Sequence, residues 1–220
     1  MTDNGLMTSD DERVEQAPPK SNSLGALIVA VLAALVLGAV AGVMLFGPES
    51  NPGDTSPEAG FARDMSVHHA QAVEMAFTIY DKTKDPEIKS LAYDIITTQR
   101  TQIGMFSGWL QEWDLPQTTV RPPMEWTEHG HGQPMTSYSD MPGMASDAQL
   151  AEFATLHGKA ADERFLQLMI AHHRGGVEMA EAVIPLTERP EVLTLAQTIV
   201  DGQTAEIANM QQMLTEVSGN

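Results

Sequence analysis

The chain has no cysteine and little positive charge: 12 Lys+Arg stand against 30 Asp+Glu in 220 residues, a formal net charge of −18. The first absence excludes disulfides, iron–sulfur clusters, thiolate nucleophiles and thiolate zinc sites. The second leaves nucleic acid and anionic lipid without support as partners, because phosphate binding needs a basic face and the few Lys and Arg are scattered singly. A nucleophile elbow, a Walker loop, a dinucleotide fingerprint and a His-Glu-x-x-His helix are also missing, and no Ser or Thr forms a recognisable triad with His. Hydrolase and NTPase chemistry therefore has no basis here. What remains for soft chemistry is 14 Met and 7 His.

A 42% apolar content and this length describe one ordinary domain plus an extra segment. The extra is Leu24 to Phe46, LGALIVAVLAALVLGAVAGVMLF, 23 residues without a charge. At 1.5 Å per residue it would reach about 34 Å, enough for a hydrocarbon core of about 30 Å. Cleaved signal peptides carry shorter apolar runs behind a short basic stretch, whereas this run follows an acidic tail, so an uncleaved anchor is expected. Arg13 and Lys20 precede it and Glu49, Asp54 and Glu58 follow it, which places the N-terminus inside and the C-terminal part outside the cell membrane. Residues 1–23 read as a disordered tail and 47–56 as a linker.

Shifting the chain against itself by 104 positions aligns 61–110 with 165–214 without a gap, and 17 of the 50 pairs are identical. Each copy has two parts. The first carries Phe, Met, His and Ala at helical steps from Pro57 or Ala160, and the second opens at Pro86-Glu87 or Pro190-Glu191, with Pro suited to a first helical turn. The fold class is therefore all-α: a four-helix bundle of two repeated hairpins over 57–217, with repeats at 57–113 and 159–217. A Pro- and Gly-rich loop spans 114–145, and a capping-box pattern from Ser146 to Gln149 starts a short helix over 146–157.

On a helical wheel Phe61, Met65, His68, His69, Ala72, Met75, Ala76 and Ile79 share an arc of about 120°, as do their partners 104 residues on. Met65, His68 and His69 stand at i, i+3 and i+4, a spacing at which side chains converge on one ion, and Met169, His172 and His173 repeat it. Glu74 and Glu178 fall on the opposite face. An inward His is also compatible with a hydrogen-bonded core and a Met stripe with adaptable packing. Four imidazoles in one small core favour a metal, and thioether with imidazole suits copper, Cu(I) above all. The loop adds a second cluster outside any helix: Met124, His129, His131, Met135, Met141 and Met144, candidates for capturing or handing over copper.

The stretch Leu150 to Ala180, with its M-x-x-H-H-x5-M-A signature, resembles the domain of unknown function 305 family, and Phe61 to Ala76 resembles a first copy of it. The resemblance covers about 57–217. It implies a ferritin-like four-helix bundle, some of whose relatives are extracytoplasmic copper-binding proteins. Carried over by position, it implicates Met65, His68, His69, Met75, Met169, His172, His173 and Met179 as ligands. The first copy departs at Ser66-Val67 and has Glu58 where the second has Asp162, which leaves the ligands intact and allows unequal half-sites.

The expected function is copper sequestration, buffering or delivery by a membrane-anchored protein, with a copper-handling or respiratory membrane protein as possible partner. Two alternatives stay open: a ferritin-like metal oxidase, which needs an inward carboxylate supply, and a metal-free module docking on a membrane complex.

Overall fold

The computed structural model describes residues 23–46, 50–127 and 135–219. The expected N-terminal tail up to residue 22 and the loop histidines His129 and His131 lie outside them. Among the described residues there are six α-helices and no strand: α1 (Ser23–Phe46), α2 (Pro57–Lys82), α3 (Pro86–Glu112), α4 (Asp147–Thr155), α5 (Lys159–Val183) and α6 (Pro190–Gly219). Residues up to Ser50 form one unit and those from Asn51 another.

The first unit contains α1, 24 residues without a charged side chain. Its side chains are described continuously from 27 to 42, and among the described residues no helix is long and apolar enough to cross a membrane.

In the second unit the helices start where local chemistry dictates. Ser56 accepts the Ala59 N–H ahead of Pro57. Asp85 accepts those of Glu87 and Ile88 ahead of Pro86, and Ser146 and Gln149 close a reciprocal capping box. Helix α2 packs on α3, α5 packs on α6, and the two hairpins meet through α2 and α5. The apolar faces form two clusters. One holds Met75, Met169, Phe165 and Ile95; the other holds Met65, Met179, Phe61 and Phe106.

The hairpins support one another's turns. Thr187, in the turn before α6, donates to Glu58 Oε1 on α2 at 2.7 Å while accepting the Arg189 N–H at 3.2 Å. Thr83, before α3, accepts the Asp85 N–H at 3.1 Å and donates to the Asp162 carboxyl on α5. Glu58 and Asp162 thus do the same task 104 residues apart, so the departure noted between the two copies is a change of length only.

The long loop is tied to the bundle rather than hanging off it. Asp64, 3% exposed, accepts the Met124 N–H at 2.7 Å and the Trp126 indole N–H at 2.8 Å. Arg63, equally buried, donates to the carbonyls of Pro116 and Asp54 and to the Asp54 carboxylate at 2.6 Å. Farther on, Gln71 clamps Ala145 from both sides: Ala145 N–H donates to Gln71 Oε1 at 2.7 Å, and the Gln71 amide donates to the Ala145 carbonyl at 2.9 Å. Opposite, a Cβ at Gly175 would stand 1.9 Å from the Pro142 carbonyl oxygen, so only glycine lets the strap lie on α5. Positions 71 and 175 are 104 apart. The two copies have divided the work there, one holding the strap and the other making room.

Candidate functional site

Between the two clusters lies a layer of imidazoles. On α2 the histidines fall between Met65 and Met75, and on α5 between Met169 and Met179, so antiparallel packing brings the two pairs to the same level. His68, His69, His172 and His173 are each 0% exposed. The rings of His68 and His172 lie 3.8 Å apart, centroid to centroid, tilted by 32°. Glu74 and Glu178 face outward as expected.

Three hydrogen bonds define the protonation of this layer. His68 Nε2 donates to the Pro142 carbonyl at 3.0 Å, His69 Nε2 to Gln102 Oε1 at 2.7 Å, and His173 Nε2 to Glu206 Oε2 at 2.6 Å. Each acceptor is an oxygen without a hydrogen, so each of these Nε2 atoms carries a proton, and in the neutral rings of His68 and His69 Nδ1 is left with a bare lone pair. Those Nδ1 atoms have no partner, and neither nitrogen of His172 has one. The layer therefore presents unpaired lone pairs in a dry core.

Burial keeps the rings of His68, His69 and His172 neutral. It pushes His68 down to about 4, against a partial lift from the Pro142 carbonyl. Burial also takes His69 to about 3, helped by the neighbouring His68 and opposed by Gln102. His172 is pushed well below the usual histidine range by burial, then by His68, His173 and His69. Neutral imidazole is the form that binds metal.

The methionines meet across the two helices. Met65 joins Met179 in one cluster and Met75 joins Met169 in the other, so thioethers flank the layer above and below. Among the described residues no three His, Asp or Glu side chains converge on one point. A bound ion here would draw on imidazole with thioether, the donor set that suits copper and leaves Mg and Ca without their oxygens.

The loop methionines behave otherwise than expected of residues outside a helix. Met124 and Met141 are each 2% exposed within the Phe61 cluster, and Met135 and Met144 pack against it. The anchoring of the loop by Asp64 and Gln71 explains this: tied at both points, the loop closes the core, and its thioethers fill it.

Sequence patterning missed the second helices' share. Gln99 and Gln203 are buried with both amide atoms unpartnered, and Gln102 and Glu206 stand one turn farther along. The available signal was Gln99 and Gln203, identical across the repeat within otherwise apolar stripes.

Known proteins share this architecture. A solved protein of Streptomyces coelicolor, described as a candidate secreted DUF305 protein, is 46% identical, with 76% of this chain and 96% of that one covered and a TM-score of 0.69. CopM, solved in a Cu(II)-bound form, is 32% identical, with coverage of 73% and 97% and a TM-score of 0.56; its Cu(I)-bound form gives 30% and 0.55. An uncharacterised protein of Acanthamoeba polyphaga mimivirus is 40% identical over 52 residues, and the match spans about a third, 34%, of that curated relative's length. The model of the domain of unknown function DUF305 matches residues 58–214, and the chain belongs to that family.

Proposed function

We propose that this protein binds copper in the histidine layer, through His68, His69, His172 and His173 with Met65, Met75, Met169 and Met179, and buffers, sequesters or delivers it. The observation that carries the proposal is the set of four fully buried imidazoles whose Nδ1 atoms have no partner, with His68, His69 and His172 held neutral by burial. Leaving several such groups unpaired in a dry core is costly, and a soft cation meets several at once. Cu(I) accepts low coordination numbers, so it does not need three converging His. The copper-bound forms of CopM support the choice of ion.

An anchoring role for α1 belongs to the same proposal. By sequence, the uncharged run Leu24 to Phe46 would reach about 34 Å, and within its described part Leu27, Ile28, Leu32, Leu35 and Leu37 are more than half exposed. The bundle would then stand outside the membrane, consistent with the description of the Streptomyces relative.

The test is anaerobic Cu(I) titration of the full chain in detergent against a chromophoric competitor, beside Zn(II). The double variant H68A/H172A is run in parallel with far-UV circular dichroism. Tight saturable binding by the parent and its loss in a still-helical variant is the expected result. Unchanged affinity in that variant sinks the site, and absence of binding in the parent sinks the copper function and leaves a hydrogen-bonded structural core.

A further inference from the structure

His68 is held by a segment that is not a helix. Gln102 on α3 supports His69 and Glu206 on α6 supports His173, whereas the acceptor for His68 is the Pro142 carbonyl, in the strap. The Met144 N–H closes this strap on the Met141 carbonyl at 3.2 Å, with proline second and Gly143, at φ +74°, third. That is the pattern of a type II turn, which moves as one piece. Pro142 reaches His68 on α2, and a Cβ on Gly143 would collide with the Ala171 carbonyl and stand 3.0 Å from His172 Cα on α5. The turn therefore crosses the α2–α5 seam at the level where the rings of His68 and His172 meet.

Three features hold the turn down. Met141 is 2% exposed, Gly175 leaves room beneath Pro142, and Gln71 engages the N–H and the carbonyl of Ala145 at 2.7 and 2.9 Å. Gln71 and Gly175 are not among the ligands, and no helix has to unwind for the turn to lift. Lifting would uncover the seam and also withdraw the acceptor that fixes the ring of His68, so passage and loosening of a ligand would coincide. On the far side, a groove of about 730 Å³ between α3 and α6 stops at Gln102, whose oxygen His69 already occupies.

We propose that the strap Met141–Ala145 is the gate of the histidine layer and that the Gln71 clamp sets how often it opens. The assignment rests on the copper function proposed above and concerns how the ion is exchanged.

Entry and exit of Cu(I) are timed anaerobically by stopped flow on the full chain in detergent, with exit read as the limiting rate at excess chromophoric chelator. The variants are Q71A, G175A and, as a plug in the far groove, T98W, each checked for helicity by circular dichroism. A gate that opens only briefly scales both rates by its open fraction and leaves the affinity alone. Losing both bonds to Ala145 should raise entry and exit together about 10- to 100-fold in Q71A, with affinity kept within about threefold. G175A should act in the same direction, and T98W should leave both rates at the parent's values. Parental rates in Q71A and G175A overturn the gate and leave copper binding intact. So does slowing by T98W, which puts the passage between α3 and α6, or a faster exit without faster entry, which makes Gln71 a support for the site alone. No saturable copper in the parent removes the copper function and the gate together.

Discussion

Lowering the pH from 7 to 5.5 should destabilise the metal-free bundle by about 4 kcal/mol. In the unfolded chain a histidine titrates near 6.5, while in the fold burial holds His68 near 4, His69 near 3 and His172 well below its usual range. For a group whose folded value is depressed in this way, the unfolded chain binds more protons throughout the interval, so stability falls as pH falls. Between pH 7 and 5.5 each such histidine removes about 1.3 kcal/mol, and three together about 4 kcal/mol. Asp64 and Asp162, whose carboxyls burial raises, act in the opposite sense. Urea unfolding followed by circular dichroism, with chelator present, measures the change; with a slope of about 2 kcal/mol/M the midpoint should drop by about 2 M. A midpoint that stays level between pH 7 and 5.5 would refute the buried neutral layer and, with it, the basis for metal binding there.

Two further substitutions test the strap and its anchors. Gly175→Ala places a methyl on the Pro142 carbonyl, so either the strap or α5 must move, and a loss of roughly 1–3 kcal/mol in thermal unfolding is expected; a melting temperature equal to the parent's would show that the strap does not lie there. Asp64→Ala leaves the Met124 N–H and the Trp126 indole without their acceptor, which should cost roughly 2–4 kcal/mol in urea unfolding and expose the loop to limited proteolysis; parental resistance to protease would mean the loop is held elsewhere.

The repeat made the architecture legible before any coordinates. A gapless 104-residue shift locates both hairpins, and the helical arc places the four histidines inside and Glu74 and Glu178 outside, all of which the structure reproduces. Helix starts at Pro57, Pro86 and Pro190 follow from capping and proline chemistry. Tertiary partners were not legible. Nothing local to Arg63 or Asp64 announces that a loop 60 residues away will bury them, and nothing in the loop shows that Met124 and Met141 will complete a core. The pairing of Met65 with Met179 depends on α2 and α5 running antiparallel, which spacing within one helix does not reveal. Gln99, Gln102, Gln203 and Glu206 were passed over because a search for apolar periodicity treats polar residues in a stripe as gaps, although those gaps hold the acceptors for two histidines.

The exchanged supports at the two turns, Glu58 on Thr187 and Asp162 on Thr83, bear on how the molecule assembles. Neither hairpin carries the group that finishes its own bend, so each half remains incomplete until the other docks, and docking is also the step that dehydrates the imidazoles. Assembly and enclosure of the centre are thus a single event. An ion held at the centre would resist prying the hairpins apart far more than fraying any one helix. Release of such an ion would follow from a small opening along the α2–α5 seam, leaving secondary structure untouched.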